Sequence, residues 1–319
     1  MHNNNKCERA PIFLTLLLFL APWSGYAAAA SEWFWAADGE AMAADYQGAE
    51  RLHNQFGVGA QLAGEYLERG GFELGYHYQR RNLIAIADGD AESVDEHLLH
   101  LGGHGNFFPH HLHGRLTPRF DAYVGRDRTH YLQIAPGAVT STDHILVLNP
   151  VVSFLDLSKT VYIDLGYAYS RYRADLGAIE NLYVHQWAPT LGFGRAQDWV
   201  QLRAFYIRTS DSNRAAESDS TLALEIKWSR RLAPGAPLGA SDITLTLLGG
   251  ERRFTVDSDA RAVNTLPDLQ KGGVSLAALW KRDDRSELRV QGGIERYEDT
   301  AIDDVYHRVG GSVTLSQRW

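Results

Sequence analysis

Six of the chain's thirteen histidines, His97, His100, His104, His110, His111 and His113, crowd one stretch of sequence. Neutral imidazole is the commonest transition-metal ligand, so two or three of them on one face could hold zinc or a related ion. A hairpin centred near Glu92 would bring an inward His77 within a residue or two of His104. No carboxylate or thiol completes a ligand set by spacing, however, and His110, His111 and His113 fall in a turn that fixes no geometry. No metal and no cofactor is therefore expected. Nucleophilic catalysis needs a nucleophile, a base and an orienting group within hydrogen-bond reach. No serine stands at a spacing that singles it out and there is no G-x-S-x-G, so the chain does not read as an enzyme. Gly57, Gly59, Gly102 and Gly103 are not phosphate loops, because no helical pattern follows them.

A larger polar set carries a regular pattern. Glu73, His77, Gln79 and Arg81, then His100, His104 and Asn106, Arg119 and Asp121, Asp164, Arg203, Glu225 and Lys227, Arg252, and Arg289, Gln291 and Glu295 all occupy the polar phase of amphipathic segments. Leu222, Leu224, Ile226 and Trp228 alternate with Thr221, Ala223, Glu225, Lys227 and Ser229. Val161, Ile163, Leu165, Tyr167 and Tyr169 alternate with Tyr162, Asp164, Gly166, Ala168 and Ser170. A period of two is a strand with one apolar and one polar face.

Such segments recur near 32–45, 54–67, 71–85, 97–108, 117–127, 143–155, 160–173, 181–195, 199–210, 220–231, 242–255, 272–281, 286–297 and 304–319, those near 97, 143 and 181 alternating poorly. No helical pattern exists to cover their apolar faces, so something other than protein has to do so. About ten residues is what a tilted strand needs to cross a bilayer, and strands in lipid have to close on themselves. The expected fold is all-β: a transmembrane, antiparallel, up-and-down barrel of about fourteen strands with the polar set on its inner wall. That width exceeds what a barrel's own side chains can fill, so water should occupy the lumen unless a loop folds in. Mixed charges on the wall read first as cross-strand pairs that hold the shape. The sharper reading is a selectivity lining that orients a polar solute.

The two ends set the compartment. Lys6 and Arg9 precede an apolar run, Ile12 to Leu20, and a small-residue stretch, Ala27 to Ala30, which is the order of a cleaved secretory leader. Residues 1–30 are expected to leave, taking the only cysteine, Cys7, and 31–319 to form one barrel domain. The last strand, DVYHRVGGSVTLSQRW, places Val305, Val309, Val313, Leu315 and Trp319 on one face and ends on an aromatic residue. In this it resembles the C-terminal assembly signal of bacterial outer-membrane β-barrels. The resemblance implies residence in outer-membrane lipid beside lipopolysaccharide, folding by the barrel-assembly machinery, and a monomer. A porin-like pore for small polar solutes is the leading function. The alternative is the outer-membrane barrel of an exopolysaccharide or protein export system, which would need a separate periplasmic partner. A membrane-embedded lipid hydrolase is the weakest of the three.

Charge and connections agree. The net charge of -8 argues against nucleic acid as a partner. If the first strand runs outward, the outer connections carry the acid: Asp88, Asp90, Glu92 and Asp95; Asp211, Glu217 and Asp219; Asp257, Asp259 and Asp268; Glu298, Asp299 and Asp303. These are expected as short, solvated loops. Trp33, Trp35, Trp199, Trp228, Trp280 and Trp319 gather near the opposite ends of the strands, where headgroups meet hydrocarbon, and Trp187 does not.

Overall fold

The computed structural model describes residues 33–319 except 68, 85–90, 132–139, 176–180, 211–219, 234, 237–238, 258, 260–261, 267 and 301. The expected leader lies outside the described residues, as do Asp88, Asp90, Asp211, Glu217 and Asp219.

Among the described residues sixteen strands follow one another: β1 (Trp33–Gln47), β2 (Leu52–Tyr66), β3 (Gly70–Leu83), β4 (Ala91–Gly105), β5 (Gly114–Tyr131), β6 (Thr140–Asp156), β7 (Val161–Ala174), β8 (Leu182–Arg195), β9 (Asp198–Thr209), β10 (Ser220–Arg231), β11 (Asp242–Arg252), β12 (Val256–Asp257), β13 (Ala262–Val263), β14 (Leu269–Lys281), β15 (Ser286–Asp299) and β16 (Asp304–Arg318). Fourteen of them close a barrel in which each strand pairs antiparallel with its neighbours, and β12 and β13 form a separate hairpin in the β11–β14 connection. The seam runs from Ala36 opposite Arg318 to Gln47 opposite His307. Trp319 N donates to Trp35 O at 3.0 Å and Trp35 N to Trp319 O at 3.1 Å, so the terminal aromatic extends the ladder.

The phase of each strand is as the alternation requires. Leu74, Leu101, Val124, Leu165, Leu222, Leu224, Leu276 and Val313 are exposed on the outer wall, and Leu222 keeps 65% of its surface. A continuous belt of bare leucine and valine is unfavourable in water and favourable in hydrocarbon. Two aromatic groups flank it. Trp33, Trp35, Tyr66 and Phe72 cluster at one end, with Trp33 and Tyr66 centroids 5.4 Å apart. Nearer the other end, Trp187 lies 5.5 Å from both Tyr167 and Tyr206, so this tryptophan belongs to a second girdle. Trp199 departs from expectation. Arg203 and Trp199 share a phase, and the indole lies inside over Gly192 and Gly194, where an added Cβ would meet its ring at 2.8 and 2.6 Å.

Strand limits differ from the sequence reading where hydrogen bonding outlasts the apolar pattern. β4 begins at Ala91, not near 97, and β5 runs to Tyr131. Alternation of hydropathy stops at the edge of the hydrocarbon, whereas the backbone ladder continues above it. Glu92 and Asp95 are therefore strand residues rather than loop tips, and Asp95 accepts from Tyr78 at 2.8 Å and approaches His130 at 3.0 Å.

The other difference matters more. β11 stops at Arg252, because pairing with β14 slips between Gly249 and Arg252. Gly250 has φ +95, and a Cβ there would lie 2.5 Å from Leu222 O; only glycine makes this bend without strain. The chain then turns into the barrel. Phe254, Val256 and Val263 are buried with Tyr123, Ile145, Val147, Tyr172, Val184, Phe205 and Ile207 of the inner wall. Asp257, Asp259 and Asp268 are thus not on an outer tip.

Putting a charge on the outer wall separates lipid from water as its surroundings. Leu224→Arg should lower folding stability in lipid vesicles by about 2–4 kcal/mol, while Thr246→Arg, on the inner face, should change it far less. Urea titration of the refolded protein reads both, and equal losses would contradict the assignment of faces.

Candidate functional site

The inward connection divides the lumen. On the β5–β10 side it packs against apolar wall, and on the other side it leaves a polar cavity of about 750 Å³ bounded by β1–β4, β10, β11 and β14–β16. Two devices hold it on the apolar side. The Gln186 amide clasps backbone, donating from Nε2 to Val256 O at 2.7 Å and accepting from Val256 N at 3.0 Å. Arg203, with 4% of its side chain exposed, reaches Asp259 at 2.7 Å, Asp257 at 3.4 Å and Glu225 at 3.7 Å, and donates to Thr190 at 3.0 Å. Lys227 donates to Asp259 at 2.9 Å.

Toward β16 the same connection meets polar wall. Thr265 donates to Glu96 at 2.5 Å and accepts from Arg81 at 3.2 Å, and the Tyr306 hydroxyl donates to Asp268. Leu266 is buried with Tyr46, Leu52, Tyr297 and Tyr306. The segment therefore crosses the lumen, fixed at both sides.

Of the polar set read from the sequence, His77, Gln79, Arg81, His100, Glu225, Lys227, Arg252, Arg289, Gln291 and Glu295 border the cavity. Glu73, His104, Arg119, Asp121, Asp164 and Arg203 share the inward phase without bordering it. Asp164 is buried and accepts from the Tyr162 hydroxyl at 2.8 Å. Arg203 lies beneath the inward segment. His77 pairs with Leu98 and His104 with Gly71, so His77 is a diagonal neighbour of His100 and stands well away from His104. The expected proximity of His77 and His104 fails because the hairpin centre lies nearer the start of the β3–β4 connection than Glu92.

Other lining residues escaped the sequence reading: Asp38, Glu40, Asp242, Glu287 and Arg308. Asp38 and Glu40 alternate with Ala37, Gly39 and Ala41, small residues that give the outer face little contrast. Arg308 pairs with Glu295 at 2.7 Å and donates to Gln55 at 3.3 Å. Acidic and basic groups thus alternate around the cavity, and several are joined across strands.

Burial pushes the Asp268 carboxyl up to about 6. Burial also pushes Asp259 up, but Arg203 and Lys227 beside it outweigh that and hold it below the usual carboxylate range. The two act in different pH windows. An acid whose docked pKa exceeds its value in a released segment, about 3.9, favours docking more as pH falls through 6 toward 4. Asp259 stays charged throughout that window, so its tether is unchanged. Amide hydrogen exchange of residues 255–266, corrected for intrinsic pH dependence, should show stronger protection at pH 5 than at pH 7.5. Asp268→Asn should reduce the difference, and a wild-type profile independent of pH would contradict this assignment.

No protein-family model and no curated relative matches the chain. Solved structures do. The chain is similar to the "TodX deltaS2S3 mutant monoaromatic hydrocarbon channel" with TM-score 0.53 and 10% identity, covering 91% of each chain. It is similar to the toluene transporter TodX of Pseudomonas putida in two further structures. One has TM-score 0.52 and 8% identity, covering 91% of this chain and 90% of that one; the other has TM-score 0.50 and 9% identity, covering 91% of both. With its closed ring of fourteen antiparallel strands, the chain has the fold of outer-membrane β-barrels.

Proposed function

We propose that this chain is an outer-membrane channel through which small hydrophilic solutes pass along the polar half of a lumen narrowed by the 253–268 segment. One observation carries the reading: a charged cavity of about 750 Å³ lies inside a closed ring whose outer wall is apolar. A water-filled interior behind a lipid-facing wall is what a passive pore requires. The similar solved structures are a monoaromatic hydrocarbon channel and a toluene transporter. Here Asp38, Glu40, Lys227, Arg289, Glu295 and Arg308 surround the cavity, and such groups suit a polar solute better than an apolar one.

The leader over residues 1–30, insertion by the barrel-assembly machinery into lipid beside lipopolysaccharide, and action as a monomer belong to the same proposal. So does the assignment of the inward polar set as a solute-contacting lining with no enzymatic role. An acidic chain of this kind is not expected to engage nucleic acid.

Planar-bilayer recording tests it. The intact protein should give steady single-channel steps. Arg203→Ala leaves Glu225, Asp257 and Asp259 together without their shared cation, a loss on the order of 3–5 kcal/mol for a buried pair, and should release the segment and raise conductance. Replacing 255–264 by a short glycine-serine link should raise it further. Silence from all three, with a periplasmic partner that copurifies, would favour an export role instead.

A further inference from the structure

Glu73, His100 and Asp121 stand on β3, β4 and β5, and each offers a donor atom within 4.8 Å of the others. The register explains why they converge. Glu73 pairs with Gly102, and Gly102 pairs with Asp121, so two carboxylates face each other across a position without a side chain. His100 is two residues along on the same face of β4, and its Nε2 lies 3.3 Å from Asp121 Oδ1. A Cβ at Gly102 would fall 2.7 Å from Asp121 Oδ1 and 3.1 Å from His100 Nε2. Glycine therefore keeps open the space that the donors face.

Each donor is also held from behind. Asp121 Oδ2 meets Arg119 Nε at 2.9 Å and accepts from Asn149 at 3.4 Å, which leaves Oδ1 turned toward His100. Gln61 donates to Glu73 Oε2 at 3.2 Å. The His100 ring stacks on Tyr123 with centroids 4.7 Å apart. Outer hydrogen bonds that occupy one oxygen of a carboxylate and orient the other are the usual support of a metal ligand. Two buried or half-buried carboxylates this close repel each other, and a bound cation would relieve that repulsion.

We propose that Glu73, His100 and Asp121 form a binding site for a divalent transition-metal ion in the barrel wall, reached from the lumen past His100, which also borders the cavity. One imidazole nitrogen with two carboxylate oxygens suits zinc, manganese or iron(II). Calcium and magnesium favour shells made of oxygen alone. Donors bound at zinc distances stand roughly 3–4 Å from one another. The His100–Asp121 edge, 3.3 Å, already has that length, and Glu73 completes the set by side-chain rotation, with water filling the remaining position. The site does not depend on the channel reading.

Zinc chloride titrated by calorimetry into the folded, tag-free protein in detergent tests it, in a background where His110, His111 and His113 are changed to Gln. The expected result is one ion per chain with micromolar affinity. Glu73→Gln, His100→Gln and Asp121→Asn should each weaken binding by about tenfold or more, whereas His307→Gln, on the outer phase of β16, should leave it unchanged. Cobalt(II) should give visible absorption bands that His100→Gln removes. Circular dichroism and the migration of unboiled samples in gels establish that each variant is folded. Should Asp121→Asn fail to fold, the Glu73→Gln and His100→Gln results decide. Absence of heat at micromolar protein, or binding that survives all three changes, overturns the site.

Discussion

Hydrocarbon offers a backbone no hydrogen-bond partner, and the architecture follows from that constraint. A strand placed in lipid needs a neighbour on both edges, so the last strand has to find the first. The β1–β16 seam meets the demand along its whole length, from Ala36 with Arg318 to Gln47 with His307, and Trp319 continues it by a reciprocal pair of bonds with Trp35. With the ladder closed, each side chain has only two destinations, and the period-two alternation of the sequence sorts them.

Closure at fourteen strands creates a second problem, because the ring is wider than its own side chains can fill. The chain answers it with the β11–β14 connection. The pairing slips after Gly249, where Gly250 bends the backbone inward; Val256 and Val263 pair as a short hairpin; and Arg203 gathers Asp257 and Asp259 against the wall. A buried guanidinium facing three carboxylates is costly to form and more costly to break, since removing it strands like charges in a poorly solvated place. Such a cluster specifies position more than it adds stability. The inward segment consequently has one seat, and the cavity beside it has a defined outline.

Much of this was legible in the sequence, and the exceptions have physical reasons. The phases of most of the fourteen segments and the inward direction of Glu225, Lys227, Arg252 and Glu295 follow from alternation, which lipid and water enforce from opposite sides. The fate of Asp257, Asp259 and Asp268 does not. An acidic connection looks the same whether water or Arg203 receives its charge, and the cation that draws it inward lies on a strand far away in sequence. The convergence of Glu73, His100 and Asp121 was hidden for a related reason. Its geometry depends on the registers of two hairpins and on the empty position at Gly102, and a shift of two residues in either would separate the donors.

The segments that alternate poorly were informative in a way their pattern alone did not disclose. β4, β6 and β8 carry Leu98, then Ile145, Val147 and Val151, then Leu182 and Val184 on the inward phase, where water would be expected to favour polar groups. Their outward phase is apolar as well, so the contrast between faces is lost. In a barrel, an apolar inner face needs protein to cover it, just as an apolar outer face needs lipid. Phe254, Val256 and Val263 supply that cover for most of these residues. Weak alternation confined to one arc of an otherwise well-patterned barrel therefore marks the wall on which an inward segment rests. The opposite arc, where the inward phase carries charged groups, marks the side left open to solvent.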